Sequence, residues 1–200
     1  MLYDLGTEAR DDRNDVRLKT ERLLLRAPVA VDARAIARLA NDRSIAENLR
    51  RLPHPYSRGD AEAFLDAIAR HDHEEKVFLI EADGAPIGMI GLDFGAESGP
   101  EIGYWLGVPH WGRGFATEAT RAVIDYAFEE YPIEEIVGGA RVTNPASRRV
   151  LEKCGFQWTG VALYRFVALG SSTPVDCFRL NRGIWQSLKA WGRALVKKVS

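Results

Sequence analysis

Residues 101–128, EIGYWLGVPHWGRGFATEATRAVIDYAF, join three elements with almost no spacer. Glu101 to Val108 reads as a strand. His110 to Ala116 forms a turn carrying Gly112 and Gly114. A helix follows from about Ala116 to Tyr131, with Ala119, Val123, Tyr126 or Ala127, and Phe128 at helical spacing. Both glycines admit positive φ and leave no Cβ between a ligand and the main chain. The first helical amides lack an intrahelical partner. The aligned peptide dipoles put roughly half a positive charge at that end. Phosphate or pyrophosphate is the ligand such a turn suits, although a strand–turn–helix with no ligand could carry the same glycines.

Two common phosphate loops are excluded here. No Lys follows Gly114, so this is not a P-loop, and Gly112-Arg113-Gly114 runs into Phe115-Ala116-Thr117 rather than the third glycine of a dinucleotide fold. Lys+Arg (27) and Asp+Glu (28) nearly cancel, which gives bulk charge no case for a nucleic-acid partner. No apolar run approaches the ~18 residues that span a bilayer, and MLYDLGTEARDDRND is too charged for a secretory signal. Cys154 and Cys177 lack metal-ligand spacing, so no metal is expected and both read as buried thiols of a cytoplasmic protein.

The 200 residues suit one domain with a sizeable core. Residues 1–17 are expected to form a loose polar tail. Lys19 to Arg26 reads as a strand and Asp32 to Asn41 as a helix with Ile36, Leu39 and Ala40 on one face. Residues 44–56 read as irregular. Ser57 with Asp60 resembles a capping box opening a helix with Phe64, Leu65 and Ile68 on its apolar side. Val77 to Ala82 and Pro86 to Phe94 are strands around an Asp83-Gly84 turn. After Pro132, Glu135 to Thr143 is a strand, which makes the Ala116 helix a right-handed parallel crossover. Asn144 at N-cap and Pro145 at N1 open another helix, closed by Gly155. Phe156 to Val167 and Asp176 to Leu180 are the last strands, around a loop from Leu169 to Val175. In residues 182–200, Ile184, Leu188, Trp191, Leu195 and Val199 line one stripe. Arg182, Lys189, Arg193, Lys197 and Lys198 are basic, with no acid among them. Residues 186–200 are expected to pack on the domain or at a dimer contact.

Two runs carry a family resemblance. Trp111-Gly112-Arg113-Gly114-Phe115-Ala116-Thr117-Glu118-Ala119 is similar to the acetyl-CoA pyrophosphate loop of the GNAT N-acetyltransferases, written Q/R-x-x-G-x-G/A. Gly114 and Ala116 match it, and Trp111 stands where Gln or Arg is usual. That departure resembles the RimJ/RimL-like branch, which acetylates ribosomal-protein N-termini. Asn144-x-x-Ser147-x-x-x-x-Glu152-Lys153-x-Gly155-Phe156 is the second run, and Thr20-Glu21-Arg22-Leu23 at the start also resembles that branch. The resemblance covers roughly residues 18–185.

The resemblance implies a single mixed α/β (α+β) domain over residues 18–185. Its mostly antiparallel sheet would have about 6–7 strands, helices on both faces and a splayed strand pair at the CoA site. It implies acetyl-CoA as co-substrate, contacted by Leu106, Gly107, Val108, Trp111, Gly112, Arg113, Gly114, Phe115, Ala116, Thr117 and Asn144. Amides near Leu106 to Val108 would hold the oxyanion, and Pro109, which cannot donate to a ladder, fits a break in pairing there. Glu101 is the candidate base, directly or through water; a solvent-facing glutamate is the alternative. Many members carry a thiolate-protonating Tyr seven residues after the Asn. Leu151 stands there, leaving Ser147 as the candidate acid, or only a local hydrogen-bonder. Arg113 is expected to add charge at the pyrophosphate and Glu118 to serve the helix dipole. His54, His71, His73 and His110 read as surface residues.

A direct ternary mechanism is expected, in a monomer or homodimer. The acceptor is a protein or peptide N-terminal amine, or alternatively a polyamine, aminoglycoside or amino acid. A CoA-binding module without turnover is the alternative outside enzymes.

Overall fold

The computed structural model describes residues 16–70 and 74–196, so the expectations for residues 1–15, His71, His73, Lys197, Lys198 and Val199 lie outside the described residues. Eight strands form one sheet in the order β1-β2-β3-β4-β5-β6-β8-β7. They are β1 (Leu18–Lys19), β2 (Leu23–Arg26), β3 (Glu75–Ala82), β4 (Ala85–Asp93), β5 (Glu101–Leu106), β6 (Glu135–Arg141), β7 (Gln157–Phe166) and β8 (Ser171–Asn181). The sheet is thus larger than the expected six or seven strands. Thr20 to Arg22 turns the chain between β1 and β2, which divides the single expected strand in two. The last hairpin closes over Val167–Gly170, with Gly170 at φ 63°, and β8 starts at Ser171 rather than Asp176.

The helices are α1 (Ala33–Ala40), α2 (Arg43–Ala46), α3 (Arg58–Ala69), α4 (Phe115–Glu130), α5 (Pro145–Lys153) and α6 (Arg182–Val196). α2 overlaps the start of residues 44–56, expected to be irregular, and is capped where the Asp42 side chain accepts from Ser44 N–H. α3 carries the expected capping box of Ser57 and Asp60. The last helix begins at Arg182, four residues before the expected boundary. Asn181 Oδ1 accepts from Ile184 N–H at 2.9 Å, which starts it directly after β8.

Alternation along the strands sends apolar side chains to two cores. Phe78, Ile80, Ile90 and Leu92 join α4 residues Phe115, Ala119, Val123 and Phe128 on one face. Leu79 and Met89 meet Ile36, Ala37, Ala40, Ala61 and Leu65 of α1 and α3 on the other, front, face. Asp32 is buried before α1, where Arg26 grips it with Nη1 and Nη2 at 2.8 and 2.9 Å. On the α4 face, Arg182 donates to the carbonyls of Phe128, Tyr131 and Ile133, and Trp185 stacks on Phe128 at 5.0 Å between ring centres. Leu188 and Trp191 remain exposed.

All neighbouring strands are antiparallel except β5 and β6. This parallel pair is the crossover expected from α4. It is joined only at Glu101↔Val137 and Ile102↔Gly138, and beyond Ile102 the two strands part.

Candidate active site

The parting of β5 and β6 leaves a row of amides free. Gly107 N–H donates to Ile87 O on the β4 side at 2.9 Å. Amides alternate along a strand, so Tyr104 and Leu106 direct theirs to the side that β6 has left. The Leu106 carbonyl on that side is taken by the Trp111 indole N–H at 2.7 Å. Trp111 therefore ties the turn to the end of β5, a local role that its place in the loop motif did not suggest.

Gly112 (φ 73°) and Gly114 (φ 81°) both take the left-handed conformation, and Gly114 is the N-cap of α4. It has no side-chain cap, and the first intrahelical bond runs from Glu118 N–H to Gly114 O. The amides of Phe115, Ala116 and Thr117 are thus left for a ligand. The guanidinium groups of Arg113 and Arg22 lie 4.7 and 4.8 Å from the centre of the Phe115 ring. Arg22 also donates from Nη1 to the Arg113 carbonyl and from Nε to Glu118. Glu118 accepts in addition from the Thr20 hydroxyl at 2.6 Å and from Arg22 N–H at 2.9 Å. Burial pushes its carboxyl up, but those bonds and the Arg22 charge outweigh this and hold it below the usual carboxylate range. Glu118 thus fastens the β1–β2 turn to the glycine loop, a long-range contact that no local pattern reveals.

Opposite the free edge of β5, the Asn144 side chain caps α5 by accepting from Ser147 N–H at 3.1 Å. This uses Oδ1 and leaves the Asn144 amide NH₂ to donate. Ser147 Oγ lies 3.0 Å from the Tyr104 hydroxyl, across the gap between the strands. Burial pushes the Tyr104 hydroxyl above its ordinary pKa, so it stays a proton-bearing group at neutral pH. The resemblance implies a tyrosine on α5, where Leu151 stands, and gives no sign of Tyr104. The register of β5 puts Tyr104 between Ile102 and Leu106 of the α4-side core, which is the signal that could have found it.

Glu101 opens β5 on the front face, and its Oε2 accepts from Arg50. Arg50 in turn lies over the Tyr164 ring at 4.8 Å. Glu101 and Ser147 therefore sit at different parts of the site, with no hydrogen bond between them. His110 is half-buried, and burial, then the Arg113 charge, lowers its pKa, which favours neutral imidazole. The Cys154 thiol is buried, donates to Thr117 O, and is pushed up to about 11 by burial, as suits a core cysteine.

One cavity of about 990 Å³ connects these parts. It is lined by Gly114, Phe115, Ala116 and Thr117 at one end, by Tyr104, Asn144 and Ser147 along the gap, and by Arg50, Glu101, Arg141 and Tyr164 on the front. Its front floor is glycine: Gly91 and Gly103 are cross-strand partners, and a Cβ on Gly103 would meet nothing within 4 Å. A separate groove between β1 and α4 reaches Gly114 but not Glu101, Asn144 or Ser147. No group of His, Cys, Asp and Glu among the described residues could hold a metal ion. No helix among them is long and apolar enough to cross a membrane.

An anion site at a helix start, opening onto a free strand edge, suits a long ligand with a phosphate end. Acetyl-CoA fits that description, and the comparisons agree. The family described as "Acetyltransferase (GNAT) domain" matches residues 22–157. A 61-residue stretch is 49% identical to YjcK of Bacillus subtilis, and covers 30% of this chain and 34% of that one. The uncharacterized N-acetyltransferase YoaA of the same organism is 32% identical over 174 residues, 80% of this chain and 92% of that one. Spermidine N-acetyltransferase from Vibrio cholerae, in complex with CoA and spermine, superposes with a TM-score of 0.71 at 26% identity, covering 84% of this chain and 99% of that one. RimL, the ribosomal L7/L12 α-N-protein acetyltransferase in complex with coenzyme A, shares the fold with a TM-score of 0.72 at 20% identity, covering 83% and 98%. The chain belongs to the GNAT acetyltransferase family and is an N-acetyltransferase that uses acetyl-CoA.

Proposed function

We propose that the protein acetylates the α-amine of a protein or peptide N-terminus by direct attack within a ternary complex. The observation that carries this reading is the continuous cavity from the start of α4, past Tyr104 and Ser147, to Glu101. It lets acetyl-CoA enter from the loop and an amine from the front face.

In this reading the pyrophosphate rests on the amides of Phe115, Ala116 and Thr117 and on the loop backbone from Gly112 to Gly114, with Arg113 adding charge. The pantetheine arm lies in the gap and pairs with the free edge of β5 as an extra strand would. Leu106, Gly107 and Val108 border it, and the Asn144 NH₂ donates to it. Trp111 contributes by holding the Leu106 carbonyl.

The amine lone pair attacks the thioester carbonyl carbon. A C–N bond forms and the C–S bond breaks. The ammonium proton leaves to Glu101 through water, since Oε2 is taken by Arg50 and Oε1 is the free acceptor. An amide of the β5 edge holds the oxyanion, a contribution of roughly 3 kcal/mol for one preorganised donor. The thiolate receives its proton from Ser147, which the Tyr104 hydroxyl backs. An α-amine has a pKa of about 8 against about 10.4 for lysine, so it asks least of a single carboxylate acting through water.

Free-thiol release from acetyl-CoA, measured against N-terminal peptides, spermidine and an aminoglycoside, tests this. Release with peptides, at rates giving intersecting double-reciprocal lines, is the expected result. Parallel lines would overturn direct attack, and turnover confined to spermidine would overturn the peptide acceptor.

A further inference from the structure

At the acceptor end of the cavity one arginine lacks a carboxylate partner among the described residues. Among the described residues, each carboxylate that lines this end has a hydrogen-bond or ion-pair partner. Asp60 accepts from the Ser57 hydroxyl and N–H in the α3 cap. Glu75 and Asp93 share Arg51, at 2.6 and 3.4 Å. Glu101 holds Arg50. Each of these carboxylates is thus engaged, Asp60 by neutral groups and Glu75 and Asp93 through one shared arginine.

Arg141 is the counterpart without an answer. It ends β6 on the front face, two residues beyond Gly139, and lines the cavity half-buried. Among the described residues no carboxylate pairs with it. Its Nη1 donates to the Glu47 carbonyl at 2.7 Å, its guanidinium lies 5.7 Å from the Phe166 ring centre, and its Nε is buried with no hydrogen-bond partner. A half-buried cation with spare donors is costly unless an anion meets it. The guanidinium fork is shaped for a carboxylate or phosphate. Arg149 and Lys153 also line the cavity, but both are exposed on α5.

We propose that the acceptor is an amine that also carries a carboxylate, and that Arg141 binds this carboxylate while Glu101 faces the amine. This rests on the acetyl-transfer reading above and sharpens its acceptor. The carboxylate could come from an acidic side chain near a peptide N-terminus or from the α-carboxylate of a free amino acid. Arg141 is thus a specificity residue, silent toward acetyl-CoA.

The test uses the full chain and three readouts. Acetyl-CoA binding by calorimetry comes first, because its failure would sink the acetyl-transfer reading itself. With binding in place, thiol release is compared for the peptides Ser-Glu-Ala-Ala and Ser-Lys-Ala-Ala with amidated C-termini, for free glutamate, and for spermidine. The acidic peptide or glutamate should exceed the basic peptide and spermidine by at least about tenfold in kcat/KM, and the winner of the two names the source. Arg141→Gln should abolish that ratio through acceptor KM, leave KM for acetyl-CoA unchanged and keep the melting temperature. Arg141→Lys should restore part of the ratio, which a merely structural role would not do. Preference for spermidine or the basic peptide, no turnover of either acidic acceptor, or an Arg141→Gln effect on acetyl-CoA KM alone would each overturn the proposal. If Arg141→Gln melts early, the acceptor ratio of the parent protein and of Arg141→Lys decides it.

Discussion

Two hydroxyls facing each other across the strand gap make the sharpest claim at the residue scale. Ser147 is local to α5, whereas Tyr104 comes from β5, and their 3.0 Å contact exists only because the chain returns. Tyr104→Phe should lower kcat about tenfold with little change in either KM, as loss of one proton-relay group does. Steady-state rates check it, and an unchanged kcat would return Ser147 to a hydrogen-bonder of the α5 cap. The sign of the pH effect follows from burial. Because burial lifts the Tyr104 hydroxyl above its ordinary value of about 10, its proton stays in place through pH 7–10. Loss of that proton should therefore put no alkaline fall in kcat within that range. Glu118 belongs to the same scale but to another role. Its bonds go to Thr20 and Arg22, so Glu118→Gln should raise acetyl-CoA KM several-fold by loosening the loop while leaving acceptor KM alone.

At the scale of elements, the turn from β5 into α4 was legible because its chemistry is local. Two glycines, a helix start and the preceding strand all lie within one stretch of chain. Gly114 sits at φ 81°, and an added Cβ would stand 3.3 Å from Arg22 Nη2. Gly114→Ala should therefore cost about 1–2 kcal/mol of stability and weaken acetyl-CoA binding, read by denaturant titration and calorimetry. β8 is longer than its local pattern implies for the opposite reason. Ser171, Ser172 and Pro174 have little strand character of their own and leave Thr173 isolated among them, yet all four pair with β7, from Phe166 back to Leu163. Tertiary pairing overrides weak propensity. In the same way, the irregular segment after α1 conceals α2, a single turn whose Asp42 cap is its main local signal. α6 adds a third case. Its stripe was visible, but only the fold shows that Trp185 stacks on Phe128 and donates to Asp125 at 2.6 Å. Trp185→Ala should cost about 2 kcal/mol, below the range for a fully buried Trp. For a chain of this size that is roughly 4–8 °C in melting temperature.

The whole molecule is held against acid by carboxylates fixed to arginines. Burial alone would raise the Asp32 carboxyl, but the Arg26 guanidinium and the Val29 N–H hold it below the usual range, and Glu118 is depressed in the same manner. Both groups have folded values below their unfolded ones. Their stabilisation is therefore present above about pH 4, the unfolded value, and disappears as pH falls through the folded values. Thermal melts should be flat from pH 7 to 5 and drop steeply below 4, and Asp32→Asn should remove about 3 kcal/mol at neutral pH and flatten part of that drop. Periodicity, caps and the glycine turn are short-range, so the sequence alone determined the mixed α/β class, the crossover from β5 through α4 to β6, and the loop that suits a pyrophosphate. What only the tertiary structure decided is everything that needs distant chain to meet. That includes the point at which the expected splay begins, just after Ile102 and Gly138, together with the Tyr104–Ser147 pair, the Thr20–Arg22–Glu118 tie and the pairing of Glu101 with Arg50. Local pattern encodes which backbone groups are left free. It does not encode which side chain arrives opposite them, because that depends on register and packing summed over the whole sheet.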